Sequence, residues 1–299
     1  MIKVGIYGAD TAASPVLKQL LRLLLRHPDV DLRCVASPAG NGERLADIYP
    51  VYTGETDLCL VREPGFANLD VLFVIDEENL PVEAKETLRS DDRNLKVIVL
   101  GEAPVLRKGT DEDFVYGFAE YNRKALVRGA RAAVSPSPAA LLIETALFPL
   151  AKNWRLVGDI DGRIMAPYAC EAEVAEALAA LRSVMPDFKG DITLRYGGEV
   201  PYERMDLELS LPLDLPVNEI VDIYNEAYED HNFAYVIGGT EGVDEDMRGS
   251  NKCLMQIFRD GSRLRINATA DLQTRGRAGN AVHLMNLLFG LHERTGLSI

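Results

Sequence analysis

The chain has 299 residues, 47% of them hydrophobic, and a formal net charge of −14. This length allows two domains with substantial cores, and the acidic balance provides no basic stripe for a nucleic acid or an anionic membrane, so neither is expected as a partner. The four cysteines are scattered without a CxxC pair, which predicts reduced thiols in a cytoplasmic protein and no metal site. No apolar run approaches the roughly 20 residues that cross a bilayer.

Apolar runs of strand length alternate with helical segments in the first part of the chain. The predicted strands span residues 2–7, 31–36, 69–75 and 95–100, and the predicted helices span residues 15–26 and 81–88. This alternation predicts an α/β fold with a Rossmann-like, doubly wound parallel sheet. The predicted first domain covers residues 1–136 and is completed by about residues 277–299.

The pattern changes after residue 136. The predicted helices span residues 139–150, 171–184 and 217–228, the first ending near Pro149, and the predicted strands span residues 205–211, 253–259 and 263–269. These elements predict an α+β second domain over residues 137–276 with an antiparallel sheet, of a substrate or dimerisation type. A closing helix over residues 279–291 is expected to pack back against the first domain.

Several separate runs resemble one protein family. They are residues 116–123 (YGFAEYNR), 146–150 (ALFPL), 248–253 (RGSNKC), 276–282 (GRAGNAV), 285–291 (MNLLFGL) and 293–297 (ERTGL). On these runs the chain resembles N-acetyl-γ-glutamyl-phosphate reductase, an arginine-biosynthesis family of the aspartate-semialdehyde dehydrogenase superfamily. The resemblance implies a two-step reaction. A cysteine thiolate attacks an acyl phosphate to give a thioester, and NADPH then delivers hydride to release a semialdehyde, with a histidine as acid and base.

The nucleophile that this resemblance implies is missing. The family loop reads Pro-Gly-Cys-Tyr-Pro-Thr, and counting back from Pro149 places its cysteine at Pro138, or at Ser137 if the loop shifts by one residue. Proline has no nucleophilic atom, and a serine would form a stable ester and would need a base. Ser137 is therefore interpreted as part of a polar turn that caps the following helix, and no catalytic residue is expected.

The catalytic histidine and an alternative thiol were also sought in the sequence. No histidine occurs between residues 157 and 203, where the family places its base. Cys170 is the alternative thiol, because it precedes a predicted helix whose N-terminus would lower its pKa. Glu171 and Glu173 oppose that effect, so a packed, unreactive Cys170 is the favoured interpretation and a relocated nucleophile stays open.

The phosphate-binding loop of the first domain is also altered. A dinucleotide fold needs glycines after its first strand, and the family has Gly-Ala-Ser-Gly-Tyr-Thr-Gly there. This chain has Gly8, Ala9, Asp10, Thr11, Ala12, Ala13 and Ser14. After the second strand the family's Ser-Arg, whose arginine faces the 2′-phosphate of NADP, becomes Ser37-Pro38. Arg275 is a partial substitute for a lysine that faces the cofactor. These positions are interpreted as a vestigial cofactor site. No bound cofactor is expected. If the chain has kept the family function, the expected cofactor is NADP.

Three functions remain open from the sequence. The leading hypothesis is a degenerate reductase-like protein with a binding or assembly role, either as a homo-oligomer or as the partner of an active paralogue. The alternative is an active NADP-dependent, semialdehyde-forming reductase with a relocated nucleophile such as Cys170. The third is a sensor of a small anionic ligand held by Arg204 or Arg275, because Arg204 falls at an arginine position that the family keeps near its substrate.

Overall fold

The computed structural model describes residues 1–8, 14–63, 65, 68–75, 95–100, 114–168, 171–198, 200, 202–240, 242–243 and 246–298. The chain divides into two compact units, each built on its own sheet. Unit 1 comprises Met1–Pro136 with Arg277–Leu297, and unit 2 comprises Ser137–Gly276 with Ser298. Within the described ranges, no helix has both the length and the apolarity needed to cross a bilayer.

The elements of unit 1 alternate between strand and helix. Its strands are β1 (Ile2–Tyr7), β2 (Val30–Ala36), β3 (Leu60–Val61), β4 (Val71–Val74), β5 (Lys96–Leu100), β6 (Phe114–Tyr116) and β7 (Ala132–Ser135). Its helices are α1 (Pro15–Leu25), α2 (Leu45–Ile48) and α3 (Ala119–Val127), with a 3₁₀ turn at Pro50–Tyr52. The predicted helix over residues 81–88 lies outside the described residues.

The sheet of unit 1 is parallel throughout its described strands. The strand order is β3-β2-β1-β4-β5-β7-β6, and every adjacent pair is parallel. Val4 and Ile6 of β1 and Phe73 of β4 are fully buried, as expected for strands covered on both faces. The predicted doubly wound sheet is therefore confirmed. The order reverses between β1 and β4, which is the point where such sheets bind ligands.

Unit 2 contains a mixed sheet. Its strands are β8 (Ile160–Met165), β9 (Ile192–Tyr196), β10 (Arg204–Leu211), β11 (Ala234–Ile237), β12 (Cys253–Asp260) and β13 (Arg263–Asp271), and its helices are α4 (Pro138–Lys152), α5 (Glu171–Val184) and α6 (Val217–Tyr228). The order is β11-β12-β13-β10-β8-β9. The four central strands are antiparallel, as predicted, whereas β11 and β9 pair in parallel at the two edges.

Helix α4 continues through a proline. The predicted end near Pro149 is wrong, because the helix runs to Lys152 with nearly every residue buried. Pro149 has no N–H group for the carbonyl of Thr145, one turn earlier. The hydroxyl of Tyr228 in α6 donates to that carbonyl at 2.5 Å. The neighbouring Tyr224 hydroxyl donates to the carbonyl of Ala146, so α6 supplies buried donors at the proline.

The chain returns to unit 1 through a π-helical turn at Thr274–Ala278, followed by α7 (Gly279–Leu288). Every residue of α7 is buried, and the helix packs against α1, α3, β5 and β7. The predicted packing of the closing helix against the first domain is therefore confirmed. The helix ends three residues earlier than predicted, because Gly290 turns the backbone with a φ of 65°.

Two buried networks hold the segment after α7 in unit 1. His27 Nδ1 accepts from the Asp29 amide, so its Nε2 donates to Asn286 Oδ1 at 3.0 Å. The amide group of Asn286 in turn donates to the carbonyls of Glu293 and Thr295. In the second network, Glu293 contacts His283 Nε2 at 3.0 Å and Arg123 Nε at 2.6 Å.

Candidate functional site

The position assigned to the nucleophile lies at the N-terminus of α4. Ser137 is the N-cap residue and Pro138 is the first residue of the helix. Ser137 is only 2% exposed. Its hydroxyl donates to one carboxylate oxygen of Glu176 in α5, and its backbone N–H donates to the other at 3.3 Å.

A second carboxylate from α5 supplies the helix cap. Glu173 is buried, and its Oε2 accepts the backbone N–H of Ala139 at 2.6 Å and faces the Tyr168 hydroxyl at 3.4 Å. Ser137 occupies the N-cap position, as the predicted polar turn implies, but its side chain makes no capping hydrogen bond because its hydroxyl is bonded to Glu176. Glu173 performs that role from the neighbouring helix.

This arrangement places two carboxylates at the end of α4 that would otherwise attract an anion. A negative charge about 5 Å from one of them would be opposed by about 3 kcal/mol at an effective dielectric of about 20. The site is also closed on another side, since a Cβ atom on Gly276 would lie 3.0 Å from the Cβ of Pro138. The described site therefore disfavours both a thiolate and an anionic ligand at Ser137.

Sequence reasoning did not find the role of Glu176. Glu173 and Glu176 are three residues apart, so both carboxylates lie on one face of α5, and the sequence shows this much. The pairing of that face with the end of α4 depends on tertiary packing.

The four histidines have structural contacts. His27 and His283 belong to the buried networks of unit 1. The ring of His231 packs edge-on against Tyr228, and His292 Nδ1 accepts the backbone N–H of Arg294. None of these contacts joins a histidine to a cysteine or to Ser137.

The alternative nucleophile, Cys170, lies outside the described residues. Among the described cysteines, Cys34 and Cys59 are half-buried and Cys253 is buried in β12. Burial raises the pKa of the Cys34 thiol, while a backbone hydrogen bond from Gly65 acts in the opposite direction. Within the part of the chain that the structure describes, no group of histidine, cysteine and acidic residues could hold a metal ion.

The residues that the sequence assigns to a vestigial cofactor site begin at the carboxyl end of β1. Gly8 has a φ of 88°, a conformation that favours glycine, and its N–H donates to the carbonyl of Ala36 at 2.9 Å. Ala9, Asp10, Thr11, Ala12 and Ala13 lie outside the described residues. Ser14 is the N-cap of α1, where its hydroxyl oxygen accepts the N–H of Leu17 at 3.3 Å.

Ser37 forms a tight turn after β2. Its N–H donates to the carbonyl of Val61 at 2.9 Å, and its hydroxyl oxygen accepts the N–H of Ala39 at 3.2 Å. Residues 37–43 contain no cationic side chain, and the guanidinium of Arg44 pairs with Asp57 at 3.0 Å. This turn therefore provides no cation for a 2′-phosphate.

Arg204 and Arg275 both lie in unit 2 but in different surroundings. The guanidinium of Arg204 binds both oxygens of Asp206, which also accepts the hydroxyl of Thr269 at 2.7 Å. Its charge is thus already compensated. Arg275 is 1% exposed, and its guanidinium carbon lies 5.8 Å from the centre of the Phe233 ring.

A concavity of about 810 Å³ lies on the sheet of unit 2 beside Arg204, and its lining is mostly polar but includes Met165, Leu207 and Phe258. We call this surface the polar sheet face. Three arginines and three acidic residues line it: Arg163, Arg204, Arg265, Asp206, Glu208 and Asp260. They form cross-strand or local ion pairs, such as Arg163 with Glu208 at 2.8 Å.

Comparison with known proteins assigns the family. No protein-family model matches the chain. An N-acetyl-gamma-glutamyl-phosphate reductase from Bacteroides thetaiotaomicron is 30% identical over 328 residues, covering 100% of this chain and 98% of the relative. The enzyme of that name from Phocaeicola vulgatus is 28% identical with the same coverage.

Solved structures show the same fold. Aspartate semialdehyde dehydrogenase II from Vibrio cholerae is similar with a TM-score of 0.72 and 14% identity, covering 97% of this chain and 99% of its own. The Candida albicans aspartate semialdehyde dehydrogenase, solved with NADP, has a TM-score of 0.70 and 13% identity over 97% of this chain. With its two-unit fold and these full-length relatives, the chain belongs to the N-acetyl-gamma-glutamyl-phosphate reductase family.

Proposed function

We propose that this chain has lost the reductase reaction of its family and has a binding or assembly role in the cytoplasm. The observation that carries the proposal is the N-terminus of α4. Ser137 and Pro138 occupy the place that the family resemblance assigns to the nucleophile, and the carboxylates of Glu173 and Glu176 bind the polar groups there.

The chemistry implied by the family explains why this arrangement is unsuitable. The relatives are named for reduction of an acyl phosphate, and a thioester intermediate requires a thiolate. Even a cysteine at position 137 would face the carboxylate of Glu176, which raises a thiol pKa by disfavouring the second negative charge. The same carboxylates repel the phosphate of the substrate.

The described cofactor residues do not fit NADP. The turn containing Ser37 lacks a cation, and Arg44 is paired with Asp57. Arg275, the substitute suggested by the sequence, is buried against Phe233. We therefore propose that NADP is not a resident cofactor of this protein.

The assembly role is supported by the polar sheet face. The chain as a whole has 46 acidic and 32 basic residues, so two copies repel each other over most of their surfaces. The concavity is different, because its three arginines balance its three acidic residues. A two-fold dimer uses the same patch on both copies, and a patch with charges of both signs can place unlike charges opposite each other. We propose a second copy of this chain as its occupant.

A reductase assay tests the loss of activity. The purified chain is incubated with N-acetyl-γ-glutamyl phosphate and NADPH, and the B. thetaiotaomicron relative serves as the positive control. We expect no substrate-dependent consumption of NADPH by the wild type or by Ser137→Cys. Turnover by the wild type would refute the proposal. If Cys170→Ser then abolished that turnover, the relocated nucleophile would be correct.

Light scattering coupled to size-exclusion chromatography tests the assembly role. We expect a wild-type dimer and a shift toward monomer for Arg265→Glu, which adds a fourth acid to the concavity and removes the partner of Asp260. Arg155→Glu is the matched control, because Arg155 is exposed in unit 2 outside the concavity. A monomeric wild type would contradict homo-oligomerisation. Co-elution of that monomer with an active reductase of this family would favour the paralogue, and saturable phosphate binding lost in Arg204→Ala would favour the anion sensor.

A further inference from the structure

Two cysteines lie near each other in the sequence register of unit 1, Cys34 within β2 and Cys59 immediately before β3. Strands β2 and β3 are parallel, with Val35 opposite Leu60 and Ala36 opposite Val61. Cys59 forms an antiparallel bridge with Arg44 on its outer side, and extending the β2–β3 register back by one residue places Cys34 opposite it on the inner side. Because side chains alternate along a strand, both thiols lie on the face opposite to the buried pair Val35 and Leu60.

The backbone geometry is compatible with a covalent link. Neighbouring strands lie about 4.8 Å apart, and disulfides join residues whose Cα atoms are about 4.4–6.8 Å apart. The thiols are free in the structure and both are half-buried. The Cys59 Sγ now faces the carbonyl of Asp57 at 4.0 Å, so pairing requires a side-chain rotation. Strand β3 has only two residues, and hydrogen bonds to Gly42 and Glu43 on its outer side hold its backbone in place beside β2.

We propose that Cys34 and Cys59 form a redox-sensitive pair that closes to a disulfide when a low-molecular-weight disulfide, such as oxidised glutathione, is the oxidant. The Cys59 thiolate attacks one sulfur of the glutathione disulfide, forms a mixed disulfide and releases the first glutathione thiolate. The Cys34 thiolate then attacks the Cys59 sulfur and releases the second. The two protein thiols are oxidised, two glutathione thiols are produced, and the two protons pass to them through solvent.

The order of these steps follows from the surroundings of Cys34. Burial raises its pKa, which lowers its thiolate fraction in a bimolecular reaction with the oxidant. In the second step Cys34 attacks the Cys59 sulfur of the same chain. The high effective concentration of that sulfur compensates for the small thiolate fraction of Cys34.

The disulfide would close a loop that contains the Ser37 turn and α2. The closed loop has about 25 residues, long enough for the link to restrict the unfolded chain substantially. It would also add a covalent link between β2 and β3, whose two residues otherwise hold the strand in place by backbone hydrogen bonds. Oxidation would therefore stabilise the edge of unit 1 at the turn that follows β2.

Peptide mapping of the full-length protein tests the proposal. After incubation with oxidised glutathione and alkylation of free thiols, non-reducing digestion and mass spectrometry are expected to show a Cys34–Cys59 peptide. Unit 1 should melt about 5–10 °C higher than the reduced form, and dithiothreitol should reverse the shift. Cys59→Ser should lose the peptide and the shift, whereas the control Cys253→Ala should retain both.

Other outcomes would overturn the proposal. Separate glutathione adducts on Cys34 and Cys59 in the wild type, without the linked peptide, would show that the strands do not bring the thiols together. A link between two chains in place of the internal one would have the same meaning. The wild-type map decides the matter even if a variant fails to fold.

Discussion

Replacement of Glu293 by glutamine tests the buried network that holds the C-terminal segment to unit 1. Burial alone would raise the pKa of Glu293, but hydrogen bonds from His283 and Arg123 lower it from 4.5 to about 2. The side chain of Glu293 is 6% exposed, so solvent screens these interactions only weakly. Its carboxylate therefore contributes to stability in its charged form.

The pKa difference gives the magnitude and the sign. A pKa held near about 2, against an ordinary value of 4.5, corresponds to about 2–3 kcal/mol of stability at neutral pH once solvent screening of the half-exposed Arg123 is allowed for. Because the pKa is lower in the folded state than in the unfolded state, this contribution is present above about pH 5 and declines as the pH falls toward 2. Glu293→Gln keeps one acceptor oxygen but no charge, so we expect a loss of about 2–3 kcal/mol at pH 7.

Urea denaturation at several pH values measures this loss, with hydrogen exchange of peptides from unit 1 as the readout, since the two units can unfold separately. The difference between wild type and variant should be largest at pH 7 and should shrink below about pH 5. The matched control is Glu43→Gln, an exposed glutamate of unit 1, for which we expect a change within about 0.5 kcal/mol. A difference that does not vary with pH would refute the charge-based reasoning.

Two further substitutions test local features of the fold. Tyr228→Phe leaves the carbonyl of Thr145 without a donor, so we expect a loss of about 1–3 kcal/mol in the free energy of unfolding. Adding Pro149→Ala supplies a backbone N–H and should recover part of the loss, and an absence of recovery would disprove this explanation. Gly296→Ala places a methyl group 2.3 Å from a buried histidine ring, whereas the control Gly290→Ala has a similar positive φ and open space. Thermal unfolding should show the larger loss for Gly296→Ala, and equal losses would mean that backbone strain alone is responsible.

The parallel sheet of unit 1 was predictable because β1, β4 and β5 are continuous apolar runs and β2 alternates, whereas the short strands β6 and β7 were not predicted. Residues 2–7 and 95–100 have this character, and the structure has strands there. Strand β3 was missed because two residues cannot form a pattern. Strands β8 and β9 were missed because polar residues separate their buried apolar ones, and each strand has only two buried residues. The parallel pairing at the edges of the second sheet depends on contacts between distant segments.

The candidate site was predictable only as a departure from the family pattern. The absence of a cysteine at Ser137 and Pro138 can be found in the sequence, because it depends on residue type alone. The capture of the α4 terminus by Glu173 and Glu176 cannot, since it requires two helices to meet in one arrangement. Expected local capping was replaced by a tertiary contact, which is a common reason for such predictions to fail.

Because Pro149 interrupts the hydrogen bonds of α4, the effect of a substitution at Tyr228 depends on whether position 149 is a proline. Tyr228 and Pro149 form an epistatic pair, because the value of the tyrosine hydroxyl depends on the missing N–H group. Tyr224 adds a second hydrogen bond one turn away, so two adjacent carbonyls fix both the rotation and the axial position of α6 on α4. If α6 were shifted by one residue, these buried hydroxyl and carbonyl groups would lose their hydrogen-bond partners. The two hydrogen bonds therefore favour one alignment of α6 on α4.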